Sequence, residues 1–168
     1  MLITVEELLD HPVKFSETFA PGHLDYATEG LGQAAPLVIR GSANLLGDEI
    51  EVRGGLHTAM SFTCARCLEP AEQAVDVKFD LIYRPLETVR RGDEFAVPRG
   101  EEEIGFYREG SLMLEDVARE QVLLSLPIKT VCREECRGLC PRCGRNRNRE
   151  ECECNPVPVD PRWQKLLS

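Results

Sequence analysis

Six of the eight cysteines in this chain fall between Cys132 and Cys154, in C-R-E-E-C-R-G-L-C-P-R-C-G-R-N-R-N-R-E-E-C-E-C, and the other two form Cys64-Ala-Arg-Cys67 in mid-chain. A thiolate is both a metal ligand and a nucleophile, so the pattern asks for metal, disulfide or redox chemistry. At 168 residues the chain is long enough to bury a core without covalent staples. The run from Cys132 onward has too few apolar residues to fold by burial, and an ion is what would order it.

Compartment bears on the choice. Met1-Leu2-Ile3-Thr4-Val5-Glu6-Glu7 has no basic stretch followed by an apolar run, and no segment approaches the roughly 18–20 apolar residues of a membrane helix. The expectation is a cytoplasmic protein without membrane contact. There thiols stay reduced, which favours metal over disulfides.

Spacing sorts the cysteines. Cys140-Pro-Arg-Cys143-Gly is a knuckle, a tight turn whose N–H groups face the sulfurs and whose glycine takes a conformation other residues resist. Cys152-Glu-Cys154 follows closely enough to return two more thiolates, giving a first site of Cys140, Cys143, Cys152 and Cys154. Cys64, Cys67, Cys132 and Cys136 make a second possible set, in which an ion would staple the tail to a sheet. The spacing permits this without requiring it. A redox dithiol at Cys64 and Cys67, free thiols or another ligand mix stay open, although no βαβ pattern of the thioredoxin kind precedes the pair. All-thiolate tetrahedral sites select zinc or iron–sulfur, and closed ones are structural, so the expected cofactor is one or two structural zinc ions.

The net charge of −9 is uneven. Residues 132–154 carry six Arg and five Glu, a formal +1 that leaves −10 for the remainder. Arg142, Arg145, Arg147 and Arg149 lie in a stretch, 140–149, with no acid. A general nucleic-acid coat protein would be basic throughout. These four are candidates for local contact with nucleic acid or a partner, and they equally offset the negative charge that four thiolates leave on each Zn²⁺.

The rest reads as an α+β body over 1–131, with a cysteine-rich metal-binding tail over 132–168 docked on it. A short helix is expected from Val5 to Leu9, with Thr4 as N-cap and Pro12 beyond its end. Strands are expected over Pro36–Arg40, Ala43–Leu46, Glu49–Leu56 and His57–Thr63, with Gly47-Asp48 as a turn. Ala74 to Tyr83 alternates most cleanly. Residues 86–103 read as a solvated loop, and Ile104–Tyr107 with Gly110–Leu112 as a hairpin or short edge strand. From Met113 to Leu126 the positions Leu114, Val117, Ala118, Val122 and Leu124 fit one helix face, ended by Pro127. The sheet is expected to be antiparallel and able to curl into a small barrel.

His11, His23 and His57 make no ligand spacing, and no phosphate-binding glycine motif, nucleophile elbow or carboxylate pair appears. No enzyme and no small-molecule substrate is expected.

Several motifs together resemble the YceD family, a bacterial family with plastid relatives. They are Cys64-Ala-Arg-Cys67-Leu68-Glu69-Pro70 after a strand, Leu124-Ser-Leu-Pro127 at a helix end, Cys136-Arg-Gly-Leu-Cys140-Pro-Arg-Cys143-Gly144, and Asp160-Pro-Arg-Trp163. The resemblance covers most of residues 40–168. It implies a role in accumulation of 23S ribosomal RNA, with large-subunit RNA or a ribosome-assembly protein as partner. Family members with fewer cysteines keep the C-x-x-C pair and a cysteine near Cys136, which favours grouping Cys64 and Cys67 with Cys132 and Cys136. The resemblance implies no catalytic residue. Two further readings stay beside it: a zinc-stapled protein–protein adaptor without RNA contact, and a thiol-based redox sensor.

Overall fold

The computed structural model describes residues 1–86 and 104–154. Its elements follow in the order β1 (Leu2–Thr4), α1 (Val5–Asp10), β2 (Val13–Phe19), β3 (Leu31–Gln33), β4 (Leu37–Leu46), β5 (Glu49–Thr63), β6 (Pro70–Pro85), β7 (Ile104–Tyr107), β8 (Ser111–Met113) and α2 (Leu114–Ser125). The chain divides into two units, Met1–Ser61 with Glu72–Ile128, and Phe62–Ala71 with Lys129–Ser168. The expected solvated loop, apart from Leu86, and the Asp160–Trp163 motif lie outside the described residues.

In the first unit, period-two alternation sends one side of each strand inward. Val13, Phe15 and Phe19 of β2, Leu37, Ile39 and Ala43 of β4, and Ile50, Val52 and Leu56 of β5 are all buried. Each of these side chains larger than Ala43 contributes about 1.5–3 kcal/mol on burial. The main sheet runs β2-β4-β5-β6-β7, with β3 also paired to β5, and β1 and β8 form a separate two-stranded sheet. The β2–β4 and β4–β5 pairs are antiparallel, and Gly41 faces Gly54 across the second. A Cβ on either glycine would meet the facing backbone, so the two strands approach closely there, with the rings of Phe15 and Phe79 laid against the gap.

The mixed α+β class stands, with two corrections. The sheet is not closed into a barrel: among the described residues β2 and β7 end the strand path, and closure would need them paired. Nor is it wholly antiparallel, because β7 runs parallel to β6 in the register Ile82↔Ile104 to Pro85↔Tyr107. Alternation has the same period for either strand polarity, so the sequence does not distinguish them. The stretch 86–103 supplies the dozen or more residues a parallel connection requires. Ile104–Tyr107 and Ser111–Met113 are therefore not hairpin partners beyond the single Arg108↔Ser111 bridge, since β8 pairs with β1 instead.

The helices follow their local signals. Thr4 Oγ1 accepts from the Glu7 N–H at 3.3 Å and caps α1. In α2 the buried stripe is Leu114, Val117, Ala118, Gln121 and Val122. Leu124, expected on that face, is 72% exposed, because the stripe centres on Gln121 and leaves position 124 at its margin in the last turn. No described helix is long and apolar enough to cross a membrane.

Candidate metal centre

All eight cysteines belong to the second unit, whose apolar core is small: Cys64, Cys67 and Cys136 with Val131 against them. Two turns of one design organise it. In the first, the Leu68 N–H donates to the Cys64 carbonyl at 2.9 Å, and the Cys64 N–H donates to the Glu69 carbonyl at 2.9 Å. In the second, the Gly144 N–H donates to the Cys140 carbonyl at 2.9 Å, and the Cys140 N–H donates to the Arg145 carbonyl at 2.8 Å. Both close on a left-handed residue, Leu68 at φ 59 and Gly144 at φ 72. In each, interior N–H groups face the first sulfur, those of Arg66 and Cys67 toward Cys64 and those of Arg142 and Cys143 toward Cys140.

The segment after α2 is fastened to the first turn by backbone. Ala65 N–H donates to the Thr130 carbonyl at 2.9 Å, and Leu139 N–H to the Arg66 carbonyl at 3.0 Å. The Arg66 guanidinium donates to the carbonyls of Glu134 at 2.8 Å and Cys136 at 3.1 Å. Gly138, at φ +67, lies so close to the Arg66 carbonyl that a Cβ there would come within 2.9 Å of it.

These contacts gather the sulfurs into two fours, Cys64, Cys67, Cys132 and Cys136, and Cys140, Cys143, Cys152 and Cys154, each with its Sγ atoms within 4.8 Å of one another. In the first four, Cys64 and Cys136 stand 3.9 Å apart and Cys67 and Cys132 3.8 Å. A disulfide requires about 2.05 Å. Four sulfurs about 2.3 Å from one ion at tetrahedral angles are about 3.8 Å from each other. The donor set in each four thus suits a single tetrahedral thiophilic ion, and in the Cys64 four the sulfur spacing matches one. Such an ion would supply cross-linking and charge neutralisation.

Electrostatics inside each four are graded. Burial pushes the Cys64 thiol up, but the N–H groups of Cys132, Cys67 and Arg66 outweigh it and hold the thiol down at about 6; the Cys132 N–H lies 3.3 Å from Cys64 Sγ. The N–H groups of Cys143 and Arg142 bring Cys140 down to about 6. Burial and the neighbouring sulfurs push Cys132 up to about 12, and hydrogen bonding to Cys143 with burial does the same for Cys154. Each four therefore has a sulfur ready to be a thiolate and another that gives up its proton only when something replaces it.

Residues that sequence reasoning passed over connect the fours. Asn148 Nδ2 donates to Cys136 Sγ at 3.3 Å and to Asn146 Oδ1 at 2.9 Å. Asn146 Nδ2 donates to Glu69 Oε1 at 3.3 Å. The only signal in the sequence is the two asparagines alternating with arginines in Arg145-Asn-Arg-Asn-Arg149, where they read as spacers.

All four candidate arginines are exposed. Arg149 pairs with Glu69 at 2.9 Å and Arg145 with Glu150 at 3.9 Å. Arg142 and Arg147 have no ion pair to a described residue, and what engages them is backbone: the Arg142 N–H faces Cys140 Sγ and the Arg147 N–H donates to the Gly138 carbonyl at 2.9 Å.

Comparison with known proteins then decides the family. The sequence profile described as "Large ribosomal RNA subunit accumulation protein YceD" matches residues 52–168. The chain belongs to the YceD family. An uncharacterised protein of Mycobacterium tuberculosis is 28% identical over 148 residues, 88% of this chain and 69% of its own length. One of Mycobacterium leprae is 26% identical over 133 residues, 79% of this chain and 58% of its own length. A chloroplastic large ribosomal RNA subunit accumulation protein YCED homolog 1 of Zea mays is 24% identical over 163 residues, 83% of this chain and 55% of its own length. No solved structure matches the chain. Both cysteine fours lie within the stretch that carries the YceD likeness.

Proposed function

We propose that this chain is a non-enzymatic ribosome-biogenesis factor of the cytoplasm that supports accumulation or processing of 23S ribosomal RNA. Two structural zinc ions, one in each cysteine four, order the unit that presents the contact surface. The observation that carries the reading is the family match over residues 52–168, whose description concerns large-subunit ribosomal RNA and names no reaction. The sulfur spacing in the Cys64 four and the all-thiolate donor set of both fours support the zinc assignment.

Within that surface Arg142 and Arg147 are the residues for RNA phosphates, because they are exposed and unpaired among the described residues. Arg145 and Arg149 already serve Glu150 and Glu69. Those two pairs favour the adaptor reading for Arg145 and Arg149 themselves, as structural cations and not contact residues. The acidic remainder of the chain limits nonspecific RNA binding.

Two measurements test the proposal. Elemental analysis of the purified protein is expected to find two zinc ions, with one lost in Cys64→Ser and one in Cys152→Ser. Arg142→Glu with Arg147→Glu is expected to weaken binding to 23S RNA and to lower its salt slope by about one per lost contact. Unchanged affinity and slope discard the RNA role, and association that survives nuclease treatment of the partner complex points to a protein partner instead.

A further inference from the structure

The stretch Gly144–Glu151 joins two ligand pairs of one cysteine four, Cys140 with Cys143 and Cys152 with Cys154, yet its side chains serve the other four. Asn148 is the centre of this arrangement. Its Nδ2 donates to Cys136 Sγ at 3.3 Å. Its Oδ1 accepts from the Arg137 N–H at 2.8 Å and from the Arg133 guanidinium at 3.1 Å. Arg133 directly follows Cys132, and Arg137 directly follows Cys136. One amide thus holds the chain beside two ligands and touches the sulfur of one.

Asn148 is in turn held by its own loop. Its N–H and Nδ2 both donate to Asn146 Oδ1, at 3.0 and 2.9 Å. The Asn146 carbonyl accepts from the N–H groups of Arg149 and Glu150 at 3.0 and 3.1 Å. Asn146 Nδ2 reaches Glu69, whose carbonyl accepts the Cys64 N–H and closes the first turn. Every link lies in the second unit. The loop has no apolar core, so its shape depends on what fixes its ends, and its ends are Cys143 and Cys152, ligands of the Cys140 four.

We propose that Asn148 is a positioning residue that makes the two cysteine fours one cooperative pair. An ion held by Cys140, Cys143, Cys152 and Cys154 fixes the 144–151 loop, and the fixed loop delivers the Asn148 amide to Cys136. The affinity of Cys64, Cys67, Cys132 and Cys136 for their ion rises in consequence. By linkage the reverse also holds: an ion in the Cys64 four tightens the Cys140 four by the same factor. A hydrogen bond to a ligand sulfur from outside the coordination sphere is worth about 10–100-fold in metal affinity. It favours the thiolate over the thiol because the acceptor is charged. The inference rests on the proposed metal binding by both fours.

The test uses the full chain, reduced and freed of metal, titrated with Co²⁺, whose thiolate charge-transfer bands report ligation. Native mass spectrometry counts the ions per molecule. At half-saturation the wild type is expected to populate zero and two ions, with the one-ion species well below its statistical share. Asn148→Ala is expected to weaken the Cys64 four by about 10–100-fold and to bring the one-ion species up. Cys152→Ser with Cys154→Ser is expected to weaken that four equally, and adding Asn148→Ala to it to cost nothing more. Asn148→Asp keeps the shape but replaces the donor with an oxygen facing the sulfur, and is expected to weaken the Cys64 four at least as much as alanine. It decides the matter should the double serine variant fail to fold. A statistical one-ion share in the wild type, or unchanged affinity in Asn148→Ala, overturns the coupling while leaving metal binding intact. A wild type that binds no Co²⁺ overturns both.

Discussion

Leu68 and Gly144 hold the same place in two copies of one turn. Each sits four residues after a cysteine, each donates its N–H to that cysteine's carbonyl at 2.9 Å, and each lies at positive φ, 59 and 72. Glycine takes that conformation freely, whereas a side chain with a Cβ pays about 1–2 kcal/mol there. Leu68 is 63% exposed, so its side chain recovers little by packing. Leu68→Gly is expected to stabilise the folded protein by about 1 kcal/mol, net of the freer unfolded chain. Gly144→Ala is expected to destabilise by about 1–2 kcal/mol although the space around it is open. Urea midpoints of the two variants decide, and a Leu68→Gly protein weaker than the wild type would contradict the strain argument.

The graded thiols give a proton count. At neutral pH the metal-free protein holds Cys64 and Cys140, each brought down to about 6, largely as thiolates, while Cys132 and Cys154, pushed up to about 12, stay protonated. Zinc added at pH 7.5 is then expected to release fewer than four protons per ion. Below pH 6 the count rises toward four, because Cys64 and Cys140 have taken up protons that the ion must displace. Affinity consequently falls as pH drops, and more steeply below about 6. Without metal, the stabilisation from the lowered thiols is present above their ordinary value of 9.0 and is lost as pH falls toward 6. Proton release in weak buffer, followed with an indicator dye, measures the count.

Glu69 restrains Arg149 at 2.9 Å across a partly exposed pair. Such pairs contribute about 0–1 kcal/mol, so Glu69→Gln is expected to change stability little. It frees a guanidinium and is expected to raise retention on a heparin column and affinity for 23S RNA. The same retention as wild type would show that Arg149 faces no anion when released.

Gly41 and Gly54 face each other in the β4–β5 ladder with no room for a Cβ on either. Gly54→Ala is expected to cost about 1–3 kcal/mol by overpacking against the facing backbone and Phe79, read as a lower urea midpoint. Cobalt binding by the cysteines should persist under native conditions, since the second unit carries them all.

Short-range patterns were readable and long-range partners were not. The meeting of Cys64 and Cys67 with Cys132 and Cys136 spans 65 positions, and spacing only permits it. Spacing alone groups Cys140, Cys143, Cys152 and Cys154, because a C-x-x-C turn with a C-x-C close behind is a local object. The alternation at 74–83 marks β6 for the same reason. β2 is faint in the sequence: Val13, Phe15 and Phe19 point inward, but Glu17 on the same face breaks the apolar rhythm. The parallel placement of β7 has no local signature. Asn146 and Asn148 were invisible as structural residues because their partners sit far along the chain, Glu69 being 77 positions away from Asn146. Leu124 fits the periodicity yet lies exposed, because periodicity marks a helix face without saying where its centre falls.

The second unit is assembled from two separated stretches, and Cys132 lies 65 positions after Cys67. A ribosome adding about 5–20 residues per second finishes the first C-x-x-C turn several seconds before its partner cysteines exist. Cys64 and Cys67 therefore spend part of every synthesis as an uncapped dithiol, and the second unit cannot close until the cysteines from Cys132 to Cys154 have been added.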